Sequence, residues 1–130
     1  MIKDKVYDLA ERTARFGEAV IAFARQVAKD EITRPLLSQL VRAGGSVGAN
    51  YCEADEAGSK KEFRYRISVC KREVRETKHH IRMLVAADPK LRDDGRLLWQ
   101  EATELTLIFA AILRPAKRLT PNNTGGDASD

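Results

Sequence analysis

Apolar side chains recur along this chain at alternating intervals of three and four residues, the period of a helical face that packs against other helices. The first such seam begins near the N-terminus and consists of Val6, Leu9, Thr13, Phe16, Val20, Phe23 and Val27. Three similar seams follow, separated by short polar breaks. The pattern therefore predicts four helices, over about residues 4–29, 34–57, 60–87 and 94–114.

The predicted breaks carry residues that cap or end helices. Thr33 and Asp94 are the predicted N-caps of the second and fourth helices, and Ser59–Glu62 has the form of a capping box at the start of the third. Each glycine inside a helix costs roughly 1 kcal/mol relative to alanine, so glycines there indicate close packing of backbones. The second helix has three of them: Gly44, Gly45 and Gly48.

Four seams joined by short connections predict an all-α fold, an antiparallel up-down-up-down four-helix bundle. The length of 130 residues suits one domain, which we place at residues 1–119. The segment 120–130 has no apolar residue other than one alanine, so we expect a disordered tail there.

Composition and charge limit the partners and the cellular location to be expected. The chain is mildly basic, with a net charge of +4, which permits a polyanionic partner without requiring one. The N-terminus lacks the apolar core of a signal peptide, and no apolar run approaches the roughly 18 residues of a membrane span. Cys52 and Cys70 lack the spacing of a zinc site and are expected to be reduced thiols. We therefore expect a cytoplasmic protein that makes no membrane contact.

The residues that could support catalysis or metal binding are poorly placed for it. His79 and His80 are adjacent on a helix, so they point about 100° apart and cannot share one metal ion. The glycines at 44–48 lack the preceding strand and the following lysine of a phosphate-binding loop. The seams carry almost no charge, whereas a di-metal bundle directs glutamate and histidine inward. We expect no metal, no cofactor and no enzymatic activity.

The third predicted helix carries most of the positive charge. Between Lys60 and Arg82 there are nine Lys or Arg residues and three Glu, a net of +6. The three glutamates, Glu62, Glu73 and Glu76, share one flank of the helix, and most of the cations lie on the opposite flank. Six of the cations form one row about a quarter-turn from the apolar seam: Lys60, Arg64, Lys71, Arg75, Lys78 and Arg82.

This row of cations has three interpretations. The cations can pair with carboxylates of neighbouring helices and with water. They can contact another subunit, because a helix that is basic on one flank and acidic on the other suits head-to-tail packing, which closes into a ring. They can also follow a phosphate backbone through sequence-independent, salt-sensitive contacts. The second and third interpretations are compatible, because a ring multiplies a modest basic row.

Short motifs in the middle of the chain resemble a known family. SVGANYCEA at Ser46–Ala54 is followed by SKKEF at 59–63, by KREVRET at 71–77 and by IRML at 81–84. Their order and spacing resemble the bacterial four-helix bundle protein family, first known from reading frames in intervening sequences of 23S ribosomal RNA genes. The resemblance implies a bundle that assembles as a ring, typically a homopentamer. It also implies kinship with the accessory protein of diversity-generating retroelements, a basic pentamer that binds nucleic acid and a reverse transcriptase.

The family's recurrent polar positions correspond here to Asn50, Glu53, Arg75 and Glu76. We interpret these four as residues of fold or assembly. Asn50 lies beside the second seam, where a polar residue often fixes helix register. His79-His80 stands where relatives frequently have an aromatic pair. Four other positions differ from the apolar or small residues usual in the family: Arg64, Arg66, Cys70 and Arg72. The added arginines favour contact with nucleic acid.

Two functions from different classes follow from these patterns. The leading one is a non-enzymatic oligomeric bundle that binds RNA or DNA non-specifically through the six cations of the third helix. The alternative is a protein-interaction scaffold in which the basic and acidic flanks of that helix form the subunit interface. The first predicts binding that weakens with salt, and the second predicts a ring that dissociates when the basic flank is changed.

Overall fold

A computed structural model describes residues 8–115 of the chain. It contains four α-helices and a single turn of 3-10 helix: α1 (Leu9–Arg25), α2 (Thr33–Asp55), α3 (Lys60–Ala87), the 3-10 turn (Pro89–Leu91) and α4 (Arg92–Leu113). Successive helices pack side by side and α1 also contacts α4, so that α1 lies diagonally opposite α3. The predicted all-α four-helix bundle is confirmed. The predicted tail at 120–130 lies outside the described residues.

The predicted seams form the core. In the first seam, the described members Leu9, Thr13, Phe16, Val20, Phe23 and Val27 are all buried. Thr13 is the one polar member, and its hydroxyl donates to the Leu9 carbonyl at 2.7 Å, so this hydroxyl is paired within the core. None of the helices within residues 8–115 combines the length and the apolarity needed to cross a bilayer.

The first break differs from the prediction. α1 ends at Arg25, four residues before the predicted end, and Thr33 is the first residue of α2, so Thr33 is not its N-cap. Asp30 has the capping role, because its carboxylate accepts from the backbone N–H groups of Ile32 and Thr33, both at 2.9 Å. The Thr33 hydroxyl in turn accepts from the Asp30 N–H and donates to the Ala28 carbonyl. This reciprocal bonding fixes the turn and stops α1 early.

The start of α4 also differs from the prediction. The helix begins at Arg92, two residues before the predicted start, and Asp94 lies within its first turn, so Asp94 is not the N-cap. The chain is instead capped at Asp88, whose carboxylate accepts from the Lys90 N–H at 3.2 Å. Pro89 opens a 3-10 turn that continues directly into α4. The capping box at Ser59 is present, since the Ser59 hydroxyl accepts from the Glu62 N–H at 3.1 Å.

Two of the three α2 glycines allow close approach to α1. A Cβ atom on Gly44 would lie 2.8 Å from both γ-methyl groups of Val20, and one on Gly48 would lie 3.4 Å from the Thr13 carbonyl oxygen. Gly45 differs, because a Cβ atom there would meet nothing within 4 Å. The predicted close packing therefore applies to Gly44 and Gly48 but not to Gly45.

This contrast predicts opposite effects for the same substitution at neighbouring positions. Gly45→Ala should raise the free energy of unfolding by up to about 1 kcal/mol, because alanine has the higher helix propensity. Gly44→Ala should lower it by about 1 kcal/mol, because overpacking against the fully buried Val20 costs about 1–3 kcal/mol and exceeds that gain. Urea denaturation of both variants tests this, and equal shifts of the same sign would contradict the packing described.

Candidate nucleic-acid interface

The six predicted cations lie in one row on the flank of α3 that faces α4. We call this row the basic stripe; it consists of Lys60, Arg64, Lys71, Arg75, Lys78 and Arg82. Four of the six side chains are exposed, and Lys71 and Lys78 are half-buried. Within residues 8–115, every ion pair involves other cations, so no described carboxylate neutralises the basic stripe. Pairing with neighbouring helices, the first interpretation of the row, is therefore not found in this part of the chain.

Two members of the basic stripe contact α4 without losing their charge. The Arg64 guanidinium donates to the Leu113 carbonyl at 2.6 Å, where the last turn of α4 leaves carbonyl groups without helical partners. The Lys78 ammonium lies 4.5 Å from the centre of the Trp99 ring, a cation–π contact. These contacts fix the direction of both side chains along the groove between α3 and α4.

Positive charge continues from α3 onto the start of α4. Arg92 and Arg96 are exposed, and together with Arg82 they line a concavity of about 410 Å³ that also includes Trp99. The charge pattern of the third helix alone does not indicate these two arginines. The available signal was their i, i+4 spacing in the first turns of a helix that runs antiparallel to α3, which places them beside the last turns of α3.

The acidic flank of α3 is engaged within the bundle. Arg42 of α2 lies 3.4 Å from the carboxylate of Glu73 and 2.8 Å from that of Glu76. The Glu73 side chain is only 9% exposed, which the sequence pattern did not indicate. His80 lies one turn beyond Glu76, with its Nε2 atom 3.8 Å from the Glu76 carboxylate. The charged groups on this side therefore connect α2 to α3.

Of the residues predicted to serve the fold or the assembly, some lie between helices and others lie on the surface. Asn50 donates to the Ser46 carbonyl at 2.9 Å and accepts from the Arg66 guanidinium at 3.1 Å, which joins α2 to α3. Glu76 takes part in the contact with Arg42. Glu53 is exposed and has no side-chain hydrogen bond or ion pair to another described residue. The structure thus brings Asn50 and Glu76 to the α2–α3 interface and leaves Glu53 on the surface.

Comparison with known proteins identifies the family. The family model described as 23S rRNA-intervening sequence protein matches residues 5–111. The chain belongs to this family. A structure from Bacteroides thetaiotaomicron, described as a protein of unknown function from the S23 ribosomal protein family, is similar in fold, with a TM-score of 0.73. The two are 19% identical, and the match covers 85% of this chain and 99% of that one. No curated protein matches the chain significantly.

Groups suited to metal binding or nucleophilic catalysis are not assembled in the described part of this family member. Residues 8–115 contain no cluster of three His, Cys, Asp or Glu side chains able to hold a metal ion. Burial raises the pKa of the Cys70 thiol to about 12, so it stays protonated and unreactive. Cys52 is a free, exposed thiol.

The charged cluster around Glu76 predicts loss of stability in acid. The hydrogen bond from Arg42 lowers the pKa of the Glu76 carboxyl, and burial lowers the pKa of the His80 imidazole, with His79 and Arg42 acting in the same direction. Because both pKa values are lower in the folded state, the unfolded chain takes up protons at a higher pH than the folded chain does. The free energy of unfolding therefore falls as the pH drops below about 6.5 for His80 and below about 4.5 for Glu76.

Chemical denaturation at a series of pH values measures this dependence. The variant His80→Gln should flatten the stability curve just below about pH 6.5 and leave the loss below about pH 4.5 in place. Glu76→Gln should reduce the loss at lower pH. A stability that rises on acidification through this range would contradict the arrangement of Arg42, Glu76 and His80.

Proposed function

We propose that this member of the 23S rRNA-intervening sequence protein family is a non-enzymatic, oligomeric bundle of the cytoplasm that binds RNA or DNA through phosphate contacts. The observation that carries the proposal is the basic stripe, whose six cations have no carboxylate partner in residues 8–115. A row of unpaired cations is the electrostatic pattern that a phosphate backbone requires.

The dimensions of the basic stripe suit a nucleic-acid backbone. From Lys60 to Arg82 the helix rises about 33 Å, at 1.5 Å per residue. A strand of duplex DNA carries one phosphate per 3.4 Å of axis but winds about once around the axis over that length, so a straight row faces only the few phosphates on its own side. Six cations along it can contact several phosphates at once without any base-specific contact. The expected binding is therefore independent of sequence and weakened by salt.

The alternative is a scaffold in which the basic flank of one subunit meets the acidic flank of the next. The contacts of the acidic flank argue against this scaffold, because Glu73 and Glu76 already bind Arg42 and the Glu73 side chain is almost fully buried. A neighbouring subunit would have to displace Arg42 before it could pair with them. The Arg42 guanidinium, which is 48% exposed, would then lose both of its carboxylate partners.

Assembly into a ring, with the homopentamer that the family resemblance implies, is part of the proposal. A surface other than the basic stripe is available for it. The exposed side chains of Ile21 and Val41 line a groove of about 360 Å³ between α1 and α2, together with Gly17 and Gly45. Small residues permit close helix packing between subunits, and α1 lies diagonally opposite α3. Contact through this groove would leave the basic stripe open to solvent.

A single charge substitution tests the phosphate contacts. Arg75→Gln should weaken the binding of a short RNA and reduce the slope of log K against log salt by roughly one, because one counterion fewer is released. The matched control is Arg25→Gln, an exposed arginine on α1, the helix diagonally opposite α3, and it should leave the slope unchanged. Fluorescence anisotropy over a range of salt concentrations measures both. Equal slopes for wild type and Arg75→Gln would contradict a contact at Arg75.

A further inference from the structure

We propose that the concavity around Trp99 is a stacking site for a base of single-stranded nucleic acid. This inference rests on the proposed function and adds a preference for single strands over duplexes. The site lies at the end of the basic stripe, where α3 meets the start of α4. It has a volume of about 410 Å³ and combines an aromatic ring, three arginines and an apolar floor: Ile81, Arg82, Val85, Arg92, Gly95, Arg96 and Trp99.

The floor of the site depends on Gly95. This glycine is buried, and a Cβ atom on it would lie 2.8 Å from a γ-methyl group of Val85 and 3.5 Å from Ile81. Its missing side chain lets the first turns of α4 approach α3 closely. Trp99 follows one turn later on the same face of α4. The indole is therefore half-buried beside an apolar surface.

Part of the indole remains free for a ligand. Lys78 lies over the ring at 4.5 Å, yet it is not among the residues that line the concavity. Trp99 itself lines the concavity, so the indole borders it. A volume of this size lies in the range of small-molecule clefts, so it can admit one nucleobase against the indole. Stacking on an aromatic ring tolerates any base, because every base has a π face.

The three arginines supply the contacts for the phosphates on either side of that base. Arg82, Arg92 and Arg96 are exposed, and no carboxylate of residues 8–115 pairs with any of them. Of the two acidic residues in this turn of α4, Asp94 lines a different groove, between α1 and α4, and Asp93 is exposed. A planar guanidinium binds phosphate in a bidentate manner and is suited to this role.

These features favour a single strand over a duplex. In a duplex the base faces are covered by their stacked neighbours, so only the backbone is open to the basic stripe. In a single strand one base can turn out and lie against Trp99 while its phosphates follow the arginines and the rest of the basic stripe. A single strand is then bound through one stacked base as well as through its phosphates, whereas a duplex is bound through its phosphates alone.

Trp99 is the chain's single tryptophan, so its fluorescence reports on the site directly. The full-length protein is titrated at low salt with a single-stranded oligonucleotide, a duplex of the same length, inorganic polyphosphate and a mononucleotide. Binding is followed in parallel by anisotropy or by calorimetry. The expected result is strong quenching by the single strand. The duplex and polyphosphate should bind with much weaker quenching, because their phosphates can reach Lys78 beside the ring but do not stack on it. The mononucleotide should quench only at far higher concentration.

Two variants separate stacking from charge. Trp99→Leu should weaken single-strand binding about 10-fold and leave polyphosphate binding unchanged, since one stacked base is lost. Trp99→Phe keeps an aromatic ring and should retain most of the affinity. Circular dichroism confirms that both remain folded.

The outcomes distinguish this inference from the proposed function. Single-strand binding without quenching, or equal quenching by polyphosphate, would overturn the stacking site and leave the basic stripe as the binding surface. If the mononucleotide quenches at the same concentration as the single strand, the site binds a free nucleotide, and the inference of a single-stranded ligand is wrong. If none of the polyanions binds, the proposed function fails as well.

Discussion

Phe109→Ala is expected to lower the free energy of unfolding by about 3–5 kcal/mol, a large part of the stability of a small domain. Phe109 is 0% exposed and, like Phe16 on α1, is among the largest fully buried side chains. Both belong to one continuous apolar cluster. Removing the ring leaves a cavity that side chains on rigid, mutually packed helices can fill only in part, so the loss exceeds the hydrophobic transfer energy alone.

Leu107→Ala is the matched control for Phe109→Ala. It lies two residues earlier on α4 and removes an apolar side chain that is 64% exposed. Its effect should stay within about 0.5 kcal/mol. Urea denaturation of the two variants gives both values under the same conditions. Similar losses would mean that α4 does not present Phe109 to the core.

Reversing two charges of the basic stripe is expected to weaken RNA binding on the order of 100-fold at physiological salt. The variant Lys71→Glu/Arg75→Glu changes four units of charge on one face of α3, and each unit near an anionic surface is worth about 1 kcal/mol before screening. The two residues are i and i+4 neighbours and line the same surface concavity of about 520 Å³. The mass of the particle in light scattering should not change.

A control with the same net charge isolates the position of the charges. Arg25→Glu/Lys29→Glu also changes the net charge from +4 to zero, at two exposed residues at the end of α1 and just beyond it. It should weaken RNA binding far less, because these residues lie away from the basic stripe. If the α3 variant instead lowers the particle mass, its basic flank is a subunit interface, and the scaffold function replaces the proposed one.

The fold could be predicted from the sequence because the apolar residues of all four α-helices recur with the same period. Apolar residues at alternating spacings of three and four specify one buried face for each helix, and short connections leave an antiparallel bundle as the simplest arrangement. Thr13 fits this rule although it is polar, since its hydroxyl bonds to the backbone of its own helix. Such a residue can occupy a core position without a partner from another helix.

The helix ends were less predictable because several residues compete for each cap. Asp30 and Thr33 both have side chains suited to an N-cap, and only the turn geometry decides that Asp30 caps while Thr33 begins the helix. At α4, Pro89 starts a 3-10 turn that removes the need for a cap at Asp94. In both places the choice depends on backbone angles that residue preferences alone do not determine.

The candidate site could be predicted in part. The six residues of the basic stripe share one helix, so their common face follows from the helical period. Arg92, Arg96 and Trp99 join them only through the packing of α4 against α3, which depends on the exact start of α4. The burial of Glu73 was missed for a related reason, because its partner Arg42 lies on another helix. Binding of nucleic acid by the basic stripe stays a prediction.

The most direct test of the proposed function is size-exclusion chromatography with light scattering, with and without a short RNA, at low and at high salt. We expect a particle of several subunits that takes up RNA at low salt and releases it at high salt, because released counterions drive the binding. A monomer that takes up no RNA at any salt concentration, or RNA binding that salt does not weaken, would contradict the proposed function.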